Sequence, residues 1–215
     1  MSARVLLVDD HAIVRQGLKR LLDHEPDVEV VGEAADGLEA MRLCQALSPD
    51  VVLMDVHMPQ LNGIEATRLI TASSSNTSRI LALTGHSDRQ LVQEMLRAGA
   101  SGYLLKGCSM QELLLAIRSA HENKMFITPD IAGIMVDNFI QQDDLSSVFT
   151  TLVPKERQIL QLLSEGHSSK EIAAHLDISV KTVEAKRSQI MEKLNLYSVA
   201  ELTKYAVREG LTSLH

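Results

Sequence analysis

The chain has 215 residues, is 45% hydrophobic and only 3% aromatic with no Trp, and carries a formal net charge of −7. This is enough apolar material for one large or two modest domains with aliphatic cores. No stretch approaches the ~18 consecutive apolar residues of a membrane span, and the first apolar run opens the chain without a signal-peptide pattern, so a soluble, cytoplasmic protein is predicted. The two cysteines, Cys44 and Cys108, sit among apolar residues without metal-ligand spacing. They exclude a disulfide framework and predict buried structural thiols.

Up to residue 121, short apolar runs alternate with helical patterns. The spacing predicts strands near 4–8, 28–33, 50–55, 79–84 and 101–106, and helices near 12–24, 37–47, 62–72, 88–98 and 110–121. In the first helix Ile13, Val14, Gly17, Leu18, Leu21 and Leu22 recur at 3- and 4-residue steps, the period of a buried helical face. Five such βα units imply an α/β domain over 1–121 with a five-stranded, doubly wound parallel sheet covered on both faces.

Residues 122–152 break the alternation and are read as a linker. Thr128-Pro129-Asp130 can open a short helix with Ile131, Ile134, Met135 and Phe139 on one face. The acidic, polar run 141–147 then reads as flexible connection. Residues 153–215 are purely helical in pattern, predicting helices over 154–165, 168–176, 179–194 and 198–208. Pro154 suits a first helical position and Glu156 the third; Val153 before them is a poor N-cap. Charge is uneven: residues 1–120 carry 11 Lys/Arg against 15 Asp/Glu, 121–150 carry 1 against 5, and 151–215 carry 9 against 8. The acidity belongs to the front and middle, so it does not argue against nucleic-acid binding by the last third.

Asp9, Asp10, Asp55, Thr84 and Lys106 each follow or close a predicted strand. In an open α/β sheet the ligand site lies at the carboxyl ends of the strands, so one edge would receive three carboxylates, a hydroxyl and an ammonium. Gathered carboxylates repel and raise one another's pKa, a conflict that Mg²⁺ with its preference for oxygen ligands removes. A carboxylate there can act as nucleophile toward phosphorus. Lys106 can stabilise phosphoryl oxygens and Thr84 donate to one of them. Gly85 beside Thr84 leaves room for the phosphoryl group.

Val8-Asp9-Asp10-His11, Met54-Asp55-Val56-His57-Met58-Pro59 with Gly63, Leu83-Thr84-Gly85 and Gly102-Tyr103-Leu104-Leu105-Lys106 resemble the receiver domain of two-component response regulators. The resemblance spans 4–121 and implies a flavodoxin-like sheet. It further implies Asp55 as phosphoacceptor, Mg²⁺ on Asp10, Asp55 and the backbone carbonyl of His57 with Asp9 supporting through water, Thr84 and Tyr103 as a switch pair, and Lys106 on the phosphoryl group. His57 and His86 occupy positions that influence phosphoryl hydrolysis in receivers and are expected to tune the lifetime of that state. His11 is read as a helix-start residue and not a ligand.

In the last third, the second and third helices are joined by Asp177-Ile178-Ser179, which is helix-turn-helix spacing. On the third helix Val183, Ile190, Met191 and Leu194 share a face that should be core. The opposite face carries Lys181, Ala185, Ser188 and Gln189, with Glu184 and Glu192 at its margins, and suits base edges. Thr182, Lys186 and Arg187 lie nearer the edge and suit phosphates. Residues 153–211 resemble the LuxR-type effector domain of the NarL/FixJ subfamily through Pro154-Lys155-Glu156-Arg157-Gln158-Ile159-Leu160, Glu165-Gly166, Lys170-Glu171-Ile172-Ala173, Ser179-Val180-Lys181-Thr182-Val183-Glu184 and Ile190-Met191-Glu192-Lys193-Leu194. Val153 departs from the usual Thr cap, and Lys186 stands where many members have His.

Together the two resemblances imply a transcription regulator that binds double-stranded DNA and is switched when a sensor histidine kinase phosphorylates Asp55 in a Mg²⁺-dependent reaction. They imply a homodimer on phosphorylation or DNA binding, no membrane partner, and no enzymatic activity beyond self-directed phosphoryl uptake and hydrolysis. Two other readings compete. A ligand-sensing or interaction module with phosphorylation-independent DNA binding would be favoured by an incomplete acidic pocket, and this one is complete. A phosphohydrolase acting on other substrates would need a substrate pocket that the sequence does not suggest.

Overall fold

A computed structural model of the chain describes residues 2–73, 77–85, 89–129, 131–133 and 148–212. The chain divides into two compact units, the first built on residues up to 58 and from 62 through the linker, the second on the C-terminal helices together with residues 59–61. The first unit runs β1 (Ala3–Val8), α1 (Ala12–Leu22), β2 (Val28–Ala34), α2 (Gly37–Leu47), β3 (Val51–Met54), α3 (Gly63–Ala72), β4 (Arg79–Thr84), α4 (Arg89–Arg97), β5 (Gly102–Leu105), α5 (Met110–His121) and β6 (Phe126–Ile127). All its strands pair in parallel, in the order β2-β1-β3-β4-β5-β6.

The apolar runs are continuous because both sheet faces are covered. Val5, Leu7, Val51, Leu53, Leu81, Leu83 and Leu104 pack with Leu22, Leu113, Ala116, Ile117 and Ala120 from the helices. Residues one step out of phase along the same strands, Leu6, Val52, Met54, Ile80, Ala82 and Tyr103, are equally buried. Helix starts are set by side chains that satisfy the first free N–H groups. Asp36 accepts from the Glu39 N–H at 2.8 Å, Asn62 from that of Glu65 at 3.0 Å, and Ser109 with Glu112 forms a reciprocal box.

The expected five-stranded sheet has a sixth member. Phe126 and Ile127 pair with Gly102 and Tyr103. The pair is too short to show a strand period, and its neighbour makes the approach possible. A Cβ on Gly102 would lie 2.5 Å from the Phe126 carbonyl oxygen, so only glycine admits the edge strand there. Of the helix expected to open at 128, residues 131–133 are helical. Ile134, Met135, Phe139 and the acidic run 141–147 lie outside the described residues.

The second unit contains α6 (Val148–Thr151), α7 (Pro154–Ser164), α8 (Ser169–His175), α9 (Val180–Leu194) and α10 (Val199–Arg208). The last four fall where the sequence predicts them; the one-turn α6 carries no periodic signal. Its core includes Ile159, Leu160, Leu163, Ile172, Val183, Ile190, Leu202 and Ala206. Ser168–Glu171 and Ser198–Glu201 box the starts of α8 and α10. Helix α7 has half such a box: Glu156 accepts the Val153 N–H at 3.2 Å, while Val153 offers no side-chain acceptor in return. Arg157 compensates. Its buried guanidinium donates to the Phe149 carbonyl at 3.0 Å and to that of Leu152, and lies 5.4 Å over the Phe149 ring, tying α6 to α7. Because Val153 is 52% exposed, a hydroxyl fits there without cavity or clash. Val153→Thr is expected to stabilise the second unit by about 1 kcal/mol, measured as a higher urea midpoint of its helical signal; an unchanged or lower midpoint refutes the capping account.

Candidate functional site

The sheet order sets the first site. Strand β1 continues to β2 on one side while β3 lies on its other side, the switch point at which doubly wound sheets form a crevice at the strand carboxyl ends. Asp9 follows β1, Asp55 follows β3, Thr84 closes β4 and Lys106 follows β5. Their strands are immediate neighbours, so all five sequence-predicted pocket residues come to one edge. The β3–α3 turn folds tightly beneath Asp55. The Gly63 N–H donates to the Val56 carbonyl at 2.9 Å, and a Cβ on Gly63 would fall 1.9 Å from the Asp55 carbonyl oxygen. Gly85 differs: a Cβ there meets nothing within 4 Å.

Asp9 is 3% exposed and Asp55 4%. Lys106 Nζ stands 2.7 Å from Asp9 Oδ2 and 2.7 Å from Asp55 Oδ2. Burial pushes the Asp55 carboxyl above the usual carboxylate range and the charge of Asp9 adds to the push; Lys106 and the His57 N–H oppose it without cancelling it. Burial works against the Lys106 ammonium too, but its bonds to Asp55 and Asp9 outweigh that and raise its pKa. The pocket thus holds more negative charge than its one ammonium balances.

Asp9, Asp10, His11 and Asp55 present ligand atoms that all lie within 4.8 Å of one another. Asp10 Oδ1 is buried and takes part in no hydrogen bond; His11 Nδ1 is 2.7 Å away, outside hydrogen-bond geometry. A buried carboxylate oxygen without a donor, among two further carboxylates, suits a hard divalent cation. His11 is the N-cap of α1, the helix-start role read from the sequence, but its ring also lies 3.3 Å from Asp9 Oδ1. The adjacency Asp9-Asp10-His11 is the one signal that could have shown this. Arg15 was not signalled either: it donates to the Asp9 carbonyl and lies 3.7 Å from Glu33, bracing the loop after β1.

Thr84 and Tyr103 are fully buried, and Tyr103 is in register with Ala82, two residues before Thr84 on the adjacent strand. His57 is partly buried with its N–H 3.4 Å from Asp55 Oδ1. His86 lies outside the described residues.

In the second unit, α8 and α9 are joined by a turn in which Asp177 takes φ +50° and Ser179 caps α9 by accepting the Thr182 N–H at 3.0 Å. A left-handed residue just past the helix end lets the chain reverse within a few residues. Val183 and Ile190 are fully buried, while Met191 and Leu194 are partly so. Lys181, Thr182, Glu184, Ala185, Ser188 and Gln189 are exposed, and Lys186 and Arg187 are intermediate. The face expected to read DNA is therefore open, but Lys186 is not wholly free: its Nζ lies 3.6 Å from Glu156 Oε1, and Lys193 Nζ lies 2.6 Å from Oε2 of the same carboxylate. Burial works to raise the pKa of Glu156; the bonds from Lys193 and the Val153 N–H, with the charge of Lys186, hold it below the usual range.

Among the described residues, no helix is long and apolar enough to cross a membrane. Residues 5–118 match the family model of the response regulator receiver domain, and 150–206 that of the luxR family of bacterial regulatory proteins. The response regulator UvrY of Escherichia coli O157:H7 is 42% identical over 207 residues, covering 96% of this chain and 94% of UvrY. The oxygen regulatory protein NreC of Staphylococcus epidermidis is 39% identical over 215 residues, covering 97% of this chain and 98% of NreC. A solved complex of the two-component response regulator RcsB with DNA is similar at 25% identity and TM-score 0.60, covering 95% of this chain and 98% of RcsB. With the acidic edge on one unit, the helix-turn-helix on the other and relatives matched along nearly their whole length, the chain belongs to the two-component response regulators that join a receiver domain to a LuxR-type DNA-binding domain.

Proposed function

We propose that Asp55 is the phosphoacceptor of this regulator and that its phosphorylation controls DNA binding by α9. The observation that carries this reading is Lys106 Nζ held 2.7 Å from both Asp9 and Asp55 at the carboxyl edge of the sheet. A carboxylate at the carboxyl edge of the sheet, with an ammonium already beside it, is arranged to receive a phosphoryl group. The donor is a phosphohistidine of a sensor kinase. An Asp55 oxygen forms the new O–P bond, the N–P bond breaks, and the imidazole leaves with a proton taken from solvent. Lys106 then trades a carboxylate partner for a phosphoryl oxygen, and the Thr84 hydroxyl donates to another. Buried Tyr103 on the adjacent strand carries the change away from the pocket.

Asp10, Asp55 and the His57 carbonyl would hold Mg²⁺, with Asp9 behind them. Bound there, the ion supplies positive charge against the carboxylates and the incoming phosphoryl oxygens. Water attack on the phospho-Asp55 returns the chain to its first state, and His57 and His86 set the pace of that loss. On the DNA side, Lys181, Ala185 and Ser188, with Glu184 at the margin, face the base edges of the major groove, and Thr182, Lys186 and Arg187 lie toward its phosphates. Two copies of the chain bind paired half-sites as a homodimer in the cytoplasm.

With Mg²⁺ and a small-molecule phosphodonor, the protein is expected to gain the mass of one phosphoryl group and Asp55→Asn to gain none. A gain that persists in Asp55→Asn sinks the assignment. Lys106→Met removes the one ammonium shared by two buried carboxylates and is expected to cost about 3 kcal/mol of stability, part of which added Mg²⁺ restores. Equal urea midpoints for this variant and wild type, or no response to Mg²⁺, contradict the pocket account. His57→Ala and His86→Ala are expected to change the rate at which the phosphoryl group is lost, followed by mass spectrometry; identical rates remove both histidines from that role.

A further inference from the structure

The Glu156 carboxylate is 2% exposed and lies at the start of α7, yet two cations of the DNA-facing helix converge on it. Lys193 Nζ is 2.6 Å from Oε2, Lys186 Nζ is 3.6 Å from Oε1, and the Val153 N–H completes the set at 3.2 Å from Oε2. Lys186 and Lys193 are seven residues apart, so they stand on one side of the helix. That side lies between the buried Val183 and Ile190 and the exposed Thr182 and Gln189, and the two lysine side chains remain 36% and 41% exposed. A helix laid in the major groove has its flanks beside the phosphate backbone, which is the other partner available to flank lysines. The two anions therefore compete for the same ammonium groups. The buried one has the advantage, because leaving it unpaired costs far more than leaving a phosphate to its counterions. The segment from 151 onward carries only 9 Lys/Arg against 8 Asp/Glu, so withdrawing two cations removes a large share of what could neutralise DNA.

We propose that Glu156 acts as an internal stand-in for a DNA phosphate, holding Lys186 and Lys193 against α7 so that neither neutralises the DNA backbone. The carboxylate thereby positions α9 and lowers sequence-independent affinity, leaving discrimination to the exposed face around Lys181, Ala185 and Ser188. This replaces the phosphate contact assigned above to Lys186 and rests on the reading that α9 binds DNA.

The test is the salt dependence of binding to a random-sequence duplex by the full chain in Mg²⁺ and phosphodonor, since each neutralised phosphate steepens the slope of log K against log salt by about 0.9. In the wild-type background, Lys193→Met is expected to leave the slope unchanged. Glu156→Gln keeps the shape and can still accept the Val153 N–H, but it releases both ammonium groups, so the slope should steepen by about one to two. In the Glu156→Gln background Lys186→Met and Lys193→Met should then each reduce it by about one. This dependence on background separates release of the lysines from a general change in charge. A reduction of about one on Lys193→Met with Glu156 intact overturns the proposal, and this arm holds even if Glu156→Gln does not fold. Equal slopes for a folded Glu156→Gln and wild type overturn it too. Salt-insensitive or absent binding by wild type and Glu156→Gln alike would instead sink the DNA-binding reading on which it stands.

Discussion

One ammonium beside two buried carboxylates governs the first unit. Lys106 reaches Asp9 and Asp55 at the same 2.7 Å, although the three residues come from sequence positions almost a hundred residues apart. Only a parallel sheet with β1 and β3 adjacent, and β4 and β5 following, brings these strand ends into register. Carboxylates with almost no exposure would otherwise repel one another or take up protons. The strand order, the loop braced by Arg15 and the tight turn that Gly63 allows beneath Asp55 all serve to hold negative charge where water alone does not compensate it. In the proposed reading a site so charged would take up a cation, and the arrival of a phosphoryl group would redistribute Lys106's contacts.

The second unit inverts the arrangement. There the buried group is a single carboxylate, Glu156, and the cations are the ones drawn inward. It takes part in capping α7 and in anchoring α9, while Arg157, the next residue, secures the turn before α7 through carbonyl groups. Two consecutive charged residues thus fix the start of one helix and the setting of another. Their burial distinguishes them from the exposed Lys181 and Glu184 of α9.

The elements that were legible in the sequence are those whose faces repeat. The strands through 102–105 were readable as short continuous apolar runs, because both their faces are buried, and the helices through 199–208 because burial of one face imposes a period of about 3.6. The pocket residues were legible because strand ends are marked by the change from apolar to charged. What escaped had no period to show. Strand β6 has two residues and depends on the missing Cβ of Gly102, seen only once both strands are placed. Helix α6 has a single turn, held by Arg157 from the next helix. The ring of His11 turns toward Asp9 and Asp10 through a side-chain rotation that spacing along the chain does not encode.

The sequence by itself determined the two-part organisation, the parallel sheet, the helix-turn-helix and the residues that meet at the strand ends, because each follows from local periodicity or from motif residues adjacent in the chain. Tertiary structure alone decided which charges are paired. Nothing in the order of residues says that Lys106 stands equally close to Asp9 and Asp55, or that Lys186, read from its helix as a cation for DNA, is shared with a glutamate thirty residues earlier. Charge pairing is a property of distance in space and of burial, and both are set only when the helices and strands have packed.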